Sequence, residues 1–306
     1  MENRRIGDVV TSVPCKTTNC AAKLAALVTV GLLPSVAWSQ NSSISKFDVV
    51  RDVGYAEPKN ARQSLDVYFS ASLQNAPTII WIHGGGWRRG DKGGMETKAA
   101  TFFEQGYVFV STTYRFFPEV SIKEMTGDVA KSIRWVRDNI RRYGGDPQRL
   151  IVMGHSAGAH LAALVCTDDR YLRAEGVPLA CVKGCVTLDG GAYDIPHRVQ
   201  AGVNVREVYK EVFGGREETY RDYSPALHVA EGKSIPPFLI FYVAGREETK
   251  TQSLRFAEQL KAVEVEAEVV AAQNKTHATL ESELGLDGDK PTVAVLEFLK
   301  TSLGSK

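Results

Sequence analysis

A serine stands between two glycines in the run Gly154-His155-Ser156-Ala157-Gly158. The residues before this run are apolar and those after it are small and helix-forming, so the pattern predicts a strand, a sharp turn and a helix, with Ser156 at the turn. Glycine tolerates the unusual backbone angles and close approaches of such a turn. A hydroxyl group held at the carboxyl end of a strand can attack a carbonyl carbon, so Ser156 is the candidate nucleophile.

A glycine-rich turn, His83-Gly84-Gly85-Gly86-Trp87, follows the apolar run 77–82 well upstream of this serine. Acyl transfer places negative charge on the former carbonyl oxygen, which backbone N–H groups pointing at one position can stabilise. We expect the N–H groups of Gly85, Gly86 and Ala157 to form this oxyanion hole. Trp87 and Tyr114 are candidate substrate-binding residues.

A serine hydroxyl also needs a base to take its proton, and an acid to orient that base. Of the six histidines, His277 alone lies in the last quarter of the chain, in a polar loop between the last predicted strand and the last predicted helix. The order serine, acid, histidine is typical of a nucleophile on a strand-to-helix turn. His277 is therefore the candidate base.

The acid is less clear, because the loop after the apolar run 238–244 holds two glutamates and no aspartate. Glu248 is the preferred candidate from its spacing after the strand, and Glu247 is the next. Asp189 and Asp194 are outside candidates. The remaining alternative is a serine–histidine dyad in which both glutamates are solvated.

Apolar runs alternate with helical periodicity along most of the chain, which predicts an α/β domain. Residues 47–56 and 63–70 alternate in polarity, as antiparallel strands at a sheet edge do. Predicted buried strands cover 77–82, 107–114, 150–153, 181–188, 238–244 and 266–272, and predicted helices cover 96–105, 121–143 and 291–303. The resulting sheet is mostly parallel, with helices on both faces.

Residues 189–233 interrupt this alternation, since they carry a helical run over 205–213 and turn signals between two strands. We expect this insertion to lie over the carboxyl edge of the sheet as a small cap that shapes the substrate pocket. The alternative is a surface excursion that does not contact substrate.

The first 39 residues resemble a targeting segment. Arg4 and Arg5 begin a basic region, an apolar stretch covers 25–33, and the small residues Ala37 and Ser39 suit cleavage before Gln40. The mature domain would then be 40–306, and periplasmic or secreted. The alternative is an uncleaved interfacial or membrane anchor.

Charge and cysteine content restrict the partners. A net charge of +1 argues against nucleic-acid binding. No cysteine–histidine spacing suggests a metal site. Beyond the targeting segment three cysteines remain, and a Cys181–Cys185 or a Cys166–Cys181 disulfide stays open. We expect a small-molecule substrate and no stable membrane partner, and the oligomeric state is not determined.

These motifs resemble those of the α/β-hydrolase superfamily, in its esterase and lipase branch with HGGGW and GxSxG motifs. Tyr114-Arg115 and the runs 143–147, 188–194 and 276–278 are similar to a bacterial feruloyl-esterase-like and kynurenine-formamidase-like group. The resemblance implies a doubly wound sheet of about eight strands, no cofactor and a serine acyl-enzyme. The acid loop departs from that pattern because it lacks an aspartate.

The function expected from these residues is hydrolysis of carboxylic esters through an acyl-enzyme on Ser156. The first alternative is hydrolysis of an aryl formamide or amide by the same groups. The second is a non-catalytic binding module on the same fold, but such a module usually lacks the serine or the histidine, and this chain has both Ser156 and His277.

Overall fold

Eight strands form one sheet in the computed structural model, which describes residues 47–200 and 207–304. The strands are β1 (Asp48–Gly54), β2 (Ser64–Phe69), β3 (Ala76–Ile82), β4 (Val108–Thr112), β5 (Gly145–His155), β6 (Val182–Leu188), β7 (Phe238–Val243) and β8 (Ala267–Ala272). Their order across the sheet is β1-β2-β4-β3-β5-β6-β7-β8.

β2 pairs antiparallel with both β1 and β4, and every pair from β4 to β8 is parallel. The predicted antiparallel edge and the mostly parallel sheet are therefore confirmed. Because parallel strands end at the same edge, the loops after β3, β5, β6, β7 and β8 meet there. The candidate site residues lie in these loops.

Ten α-helices connect these strands in the described part of the chain. They are α1 (Glu96–Glu104), α2 (Ile122–Asn139), α3 (Ala157–Thr167), α4 (Asp169–Ala174), α5 (Ile195–Gln200), α6 (Glu207–Val212), α7 (Glu217–Asp222), α8 (Glu247–Ala262), α9 (Thr279–Ser282) and α10 (Lys290–Ser302). α8 was not predicted from the sequence, because its buried stripe of Gln252, Phe256 and Leu260 is narrow and partly polar.

The start of α2 shows how local sequence sets a helix boundary. The Ser121 side chain accepts a hydrogen bond from the Glu124 N–H, and the Glu124 carboxylate accepts one from the Ser121 N–H. This reciprocal pair satisfies two N–H groups that a helix start leaves free. At the other end a short 3-10 turn continues α2 to Tyr143, and Gly144 ends it with a left-handed φ of 79°.

The sheet is apolar on both faces. Along β3, Ile80 and Ile82 belong to the buried cluster that includes side chains of α2, α3 and α8, while Ile79 and Trp81 belong to the cluster that includes side chains of α1 and α10. All four side chains are fully buried. A strand buried on both faces reads as a continuous apolar run, which is the pattern from which β3 was predicted.

The segment between β6 and β7 carries α5, α6 and α7. The helix predicted over 205–213 is α6, Glu207–Val212, and the residues 201–206 lie outside the described residues. The predicted targeting segment, 1–39, also lies outside them. In the described ranges no helix combines the length and the apolarity that crossing a bilayer requires.

Cys166, Cys181 and Cys185 are free and buried, so neither disulfide that the sequence left open is present. Cys181 precedes β6 and Cys185 lies within it, and an extended chain rises about 3.3 Å per residue. Their Cα atoms are therefore farther apart than the roughly 7 Å that a disulfide spans. The Cys166 thiol instead contacts Cys185, and burial raises the pKa of the Cys185 thiol well above its usual value.

Candidate active site

Ser156 lies between the last residue of β5 and the first residue of α3, with backbone angles of φ 55° and ψ −116°. Such angles are unfavourable for a non-glycine residue, and they persist where the surroundings hold them in place. Two glycines allow the turn. A Cβ on Gly154 would lie 2.3 Å from the carbonyl oxygen of Gly158, and one on Gly158 would lie 2.2 Å from that of Ile82. The predicted strand, turn and helix around Ser156 are confirmed.

His277 follows β8 and its side chain reaches the serine. Its Nε2 atom lies 2.9 Å from Ser156 Oγ, and its Nδ1 atom lies 2.6 Å from Asp189 Oδ2. The Asp189 carboxylate can only accept, so Nδ1 carries the proton and Nε2 is free to accept the Ser156 O–H. The three side chains form one hydrogen-bonded chain that ends on the serine oxygen.

Asp189, and not a glutamate, therefore holds the position of the acid. Its N–H donates to the Phe241 carbonyl oxygen of β7, which extends the β6–β7 pairing, and a left-handed φ of 49° then turns the chain. The neighbouring Leu188 carbonyl oxygen accepts from the Ser156 N–H at 2.9 Å. The end of β6 is thus tied directly to the turn that carries the serine.

The expectation that Glu248 or Glu247 contacts His277 was wrong. Both glutamates lie in the first turn of α8. Glu248 accepts from Arg198 Nη2 at 3.1 Å, and Glu247 pairs with Lys250 at 3.1 Å with 72% of its side chain exposed. The helix begins at Glu247, which carries both side chains away from the imidazole. Asp194 does not contact His277 either, since its carboxylate accepts from the His197 N–H and pairs with Arg255.

Arg246, the residue before α8, points into the site instead. Its Nη1 atom donates to Asp189 Oδ2 and lies 2.9 Å from His277 Nδ1. Because Nδ1 donates its single proton to Asp189, it cannot also accept from Arg246, and the guanidinium interacts with the carboxylate. Burial alone would raise the pKa of Asp189, but hydrogen bonds from His277, Thr249 and the Val243 N–H, together with the Arg246 charge, hold it below its usual value.

The glycine-rich turn lies against the serine. A Cβ on Gly84 would lie 3.1 Å from Ser156 Cβ, and Gly85 and Gly86 adopt left-handed φ angles of 119° and 62°. Gly85, Gly86 and Ala157 line the same cavity as Ser156. Ala157 is the first residue of α3, where backbone N–H groups have no partner within the helix. The three residues predicted for the oxyanion hole therefore line one cavity together with Ser156.

Tyr114 does not contact substrate space, so its expected substrate-binding role was wrong. It is fully buried, its hydroxyl donates to the His83 carbonyl oxygen at 3.1 Å, and its ring stacks on the His83 ring at 4.6 Å. It supports the glycine-rich turn from behind. The apolar run that contains Tyr114 gives no sign of which face its ring lies on.

Trp87 does line the cavity. Its Nε1 atom donates to His160 Nδ1 at 3.3 Å, and its ring packs against Phe213 and Tyr209 from the segment between β6 and β7. His160 in turn donates from Nε2 to the Tyr223 carbonyl oxygen at 2.8 Å. Burial lowers the pKa of His160 to about 4, so it stays neutral and joins α3 to this segment.

The cavity above Ser156 has a volume of about 780 Å³. Its walls come from the glycine-rich turn, the serine turn, the segment after β6 and the loops after β7 and β8. The residues lining it include Arg88, Arg89, Asp189, Gly191, Arg198, Tyr209, Arg246, Glu248, His277, Ala278 and Glu281. Four of these residues are arginines, which add guanidinium groups to a largely apolar wall.

Sequence reasoning missed Arg246, Arg198 and Glu281 in these walls. Arg198 is 7% exposed, donates to the Gly191 carbonyl oxygen and Glu248, and stacks over Tyr209 at 4.9 Å. A charged residue in a loop or short helix carries no local pattern that shows which way it points. Asp189 did have a local sequence pattern, because it directly follows a buried strand and precedes two glycines.

Known proteins are similar to this chain along most of its length. Isoprenylcysteine alpha-carbonyl methylesterase ICME of Arabidopsis thaliana is 29% identical over 278 residues, covering 85% of this chain and 63% of that protein. The probable carboxylic ester hydrolase LipM of Mycobacterium tuberculosis is 29% identical over 234 residues, covering 72% of this chain and 53% of that protein. This chain thus spans less than two thirds of the length of either relative.

Two solved structures share the fold. Esterase B from Lactobacillus Rhamnosis superposes with a TM-score of 0.69 at 21% identity, covering 85% of this chain and 86% of the other. Esterase Est2 from Thermogutta terrifontis superposes with a TM-score of 0.67 at 24% identity, covering 86% and 96%. The predicted α/β-hydrolase fold is therefore confirmed. Residues 65–260, more than half of the chain, match the family model BD-FAE, so this protein belongs to the BD-FAE family.

Proposed function

We propose that this protein is a serine carboxylesterase that hydrolyses small-molecule carboxylic esters through an acyl-enzyme on Ser156. The observation that carries the proposal is the hydrogen-bonded chain from Ser156 through His277 to Asp189, with separations of 2.9 Å and 2.6 Å, at the base of an open cavity. Each member has the chemical type that its role requires.

In the first half of the reaction, Ser156 Oγ attacks the acyl carbon while His277 Nε2 takes the hydroxyl proton. The carbonyl oxygen becomes negatively charged and accepts hydrogen bonds from the N–H groups of Gly85, Gly86 and Ala157. Loss of one such donor typically costs about 3–4 kcal/mol of transition-state stabilisation. His277 then gives its proton to the leaving alkoxide, and the acyl group stays on the serine.

In the second half, water takes the place of the alcohol. His277 Nε2 accepts a proton from the water as its oxygen attacks the acyl carbon, and the same N–H groups stabilise the oxyanion. The proton returns to Ser156 Oγ as the carboxylic acid leaves. Asp189 stays ionised throughout and stabilises the imidazolium that forms twice in each cycle.

The relatives and the cavity support an ester substrate. The names of ICME and LipM describe a methylesterase and a carboxylic ester hydrolase. The cavity of about 780 Å³ lies within the range of small-molecule sites, which is about 300–1,000 Å³. Trp87 from the glycine-rich turn and Tyr209 from the segment between β6 and β7 both line it.

The test compares the purified protein with its Ser156→Ala variant. We expect the variant to lose about four to six orders of magnitude in kcat on a short p-nitrophenyl ester. A fluorophosphonate probe should label the wild-type protein once, at Ser156, and leave the variant unlabelled. Full activity of the variant, or folded wild-type protein that neither turns over esters nor labels, would contradict the proposal and favour a binding module.

The same assay separates an esterase from an amidase. An aryl ester and the matching aryl formamide are compared at equal concentration, and we expect kcat/KM to be higher for the ester, since an alkoxide leaves more easily than an amine. A higher value for the formamide would assign amide hydrolysis to the same three side chains.

We also propose that residues 1–39 direct export, so that the hydrolase domain acts in the periplasm or outside the cell. The basic start, the short apolar stretch and the small residues Ala37 and Ser39 support this. Cell fractionation and N-terminal sequencing of the expressed protein test it. An intact N-terminus in the cytoplasmic fraction would contradict it.

A further inference from the structure

His155, the residue before Ser156, bridges the end of β5 to the loop that carries His277. Its Nε2 atom lies 2.8 Å from the His277 carbonyl oxygen, and its Nδ1 atom lies 3.0 Å from Glu281 Oε2 on α9. The His155 and His277 rings are 4.5 Å apart, and His155 is 4% exposed. One buried imidazole therefore contacts both the backbone of His277 and the helix that follows it.

The two contacts use both ring nitrogens of His155. A carbonyl oxygen only accepts hydrogen bonds, so Nε2 carries a proton. Nδ1 lies 3.0 Å from the Glu281 carboxylate and has no hydrogen-bond partner elsewhere in the described part of the chain.

The Glu281 carboxylate of this pair is held in its charged form. Burial by itself raises the pKa of Glu281, but its contact with His155 and the nearby charge of Lys98 hold it below its usual value. The other charged or titratable groups near the pair are Lys98 of α1, His83 after β3 and His277. Burial lowers the pKa of His83, which therefore adds no positive charge near neutral pH.

We propose that His155 and Glu281 are positioning residues for the esterase reaction: the His155 Nε2–H donates to the His277 carbonyl oxygen, while Nδ1 of the same ring lies against the Glu281 carboxylate. The pair holds the His277 loop and α9 against the end of β5, which keeps the His277 ring within reach of Ser156. Removing either partner leaves the other side chain buried without its contact, loosens the loop and lowers kcat. This inference rests on the proposed esterase function.

The first experiment measures kcat and KM for the wild type, Glu281→Ala, Glu281→Gln and a control variant, Glu258→Gln, which changes an exposed residue of α8. The amide that Glu281→Gln introduces can still contact Nδ1 of His155, whereas Ala removes the contact. We expect Glu281→Ala to lower kcat about tenfold with little change in KM, and Glu281→Gln to recover most of that loss. Glu258→Gln should follow the wild type.

Equal kcat values for the wild type and Glu281→Ala, or a loss confined to KM, would overturn the inference while leaving the esterase function intact. A wild type without ester turnover contradicts the proposed function instead. In that case ¹⁵N-histidine NMR reads the contact directly: the Nδ1 resonance of His155 should shift in Glu281→Ala and stay unchanged in Glu258→Gln. An unchanged resonance in Glu281→Ala overturns the inference.

A second pair of variants tests the contact to the His277 backbone. Gln places its Nε2 donor near the position of histidine Nε2, whereas Leu has no donor. We expect His155→Leu to lose about 10- to 100-fold in kcat with little change in KM, because a small displacement of a catalytic group has effects of this size. His155→Gln should recover most of that loss. Equal losses in both variants, or a loss confined to KM, would show that His155 serves packing alone.

Discussion

The assignment of Asp189 as the acid makes a sharp prediction, because two glutamates and an aspartate compete for one role. We compare Asp189→Asn with Glu248→Gln. Both changes replace a carboxylate with an amide of nearly the same shape, so packing is kept and charge is removed. Of these two residues, Asp189 contacts His277 Nδ1 at 2.6 Å, whereas Glu248 pairs with Arg198.

The size of the effect follows from the charge that forms on His277 during reaction. Opposite charges about 4 Å apart attract by about 4 kcal/mol at an effective dielectric constant of about 20. That energy corresponds to about three orders of magnitude in rate. Arg246 offsets part of it by repelling the imidazolium. The amide that Asp189→Asn introduces, however, can also donate to Nδ1 and so stabilise the wrong tautomer, a change that costs about 10⁴-fold in a serine protease.

We therefore expect Asp189→Asn to lower kcat for a p-nitrophenyl ester by about 10³- to 10⁴-fold, and Glu248→Gln by less than about tenfold. Circular dichroism and thermal denaturation should show both variants folded, so that a loss of kcat reports on chemistry. A Glu248→Gln variant that is inactive beside an Asp189→Asn variant near wild-type activity would refute the reasoning and return the acid to the loop after β7.

Two further predictions concern stability and pH. Gly85→Ala should lower both the melting temperature and kcat more than Gly86→Ala, because a Cβ on Gly85 would lie 1.9 Å from the Arg89 carbonyl oxygen and one on Gly86 meets nothing within 4 Å; equal effects in thermal denaturation would contradict this. The pKa of His160 falls from 6.5 to about 4, so the unfolded chain binds a proton that the folded chain refuses, and stability decreases as pH falls through that window. Urea denaturation of the wild type should show that the free energy of unfolding falls by about 3 kcal/mol over this pH range, and that the fall is smaller in His160→Gln. An equal fall in the wild type and in His160→Gln would show that other groups cause it.

Much of the fold was predictable because its signals are local. An apolar run such as 77–82 has few ways to bury both faces other than a central strand, and polarity that alternates over 47–56 indicates an edge. The narrow stripe of α8 was missed because Gln252 and Ser253 are buried there beside Phe256. In that helix burial is decided by the neighbouring strands and not by composition.

The amino-acid sequence alone determined the serine turn, the glycine-rich turn and His277, because each is specified by residues adjacent in the chain or by a single choice among six histidines. Only the tertiary structure decided the acid and the walls of the cavity. β6 and β7 end side by side at the same edge, so either following loop could supply a carboxylate. The left-handed turn at Asp189 directs its carboxylate toward the imidazole. Because α8 starts at Glu247, the carboxylates of Glu247 and Glu248 point away from it.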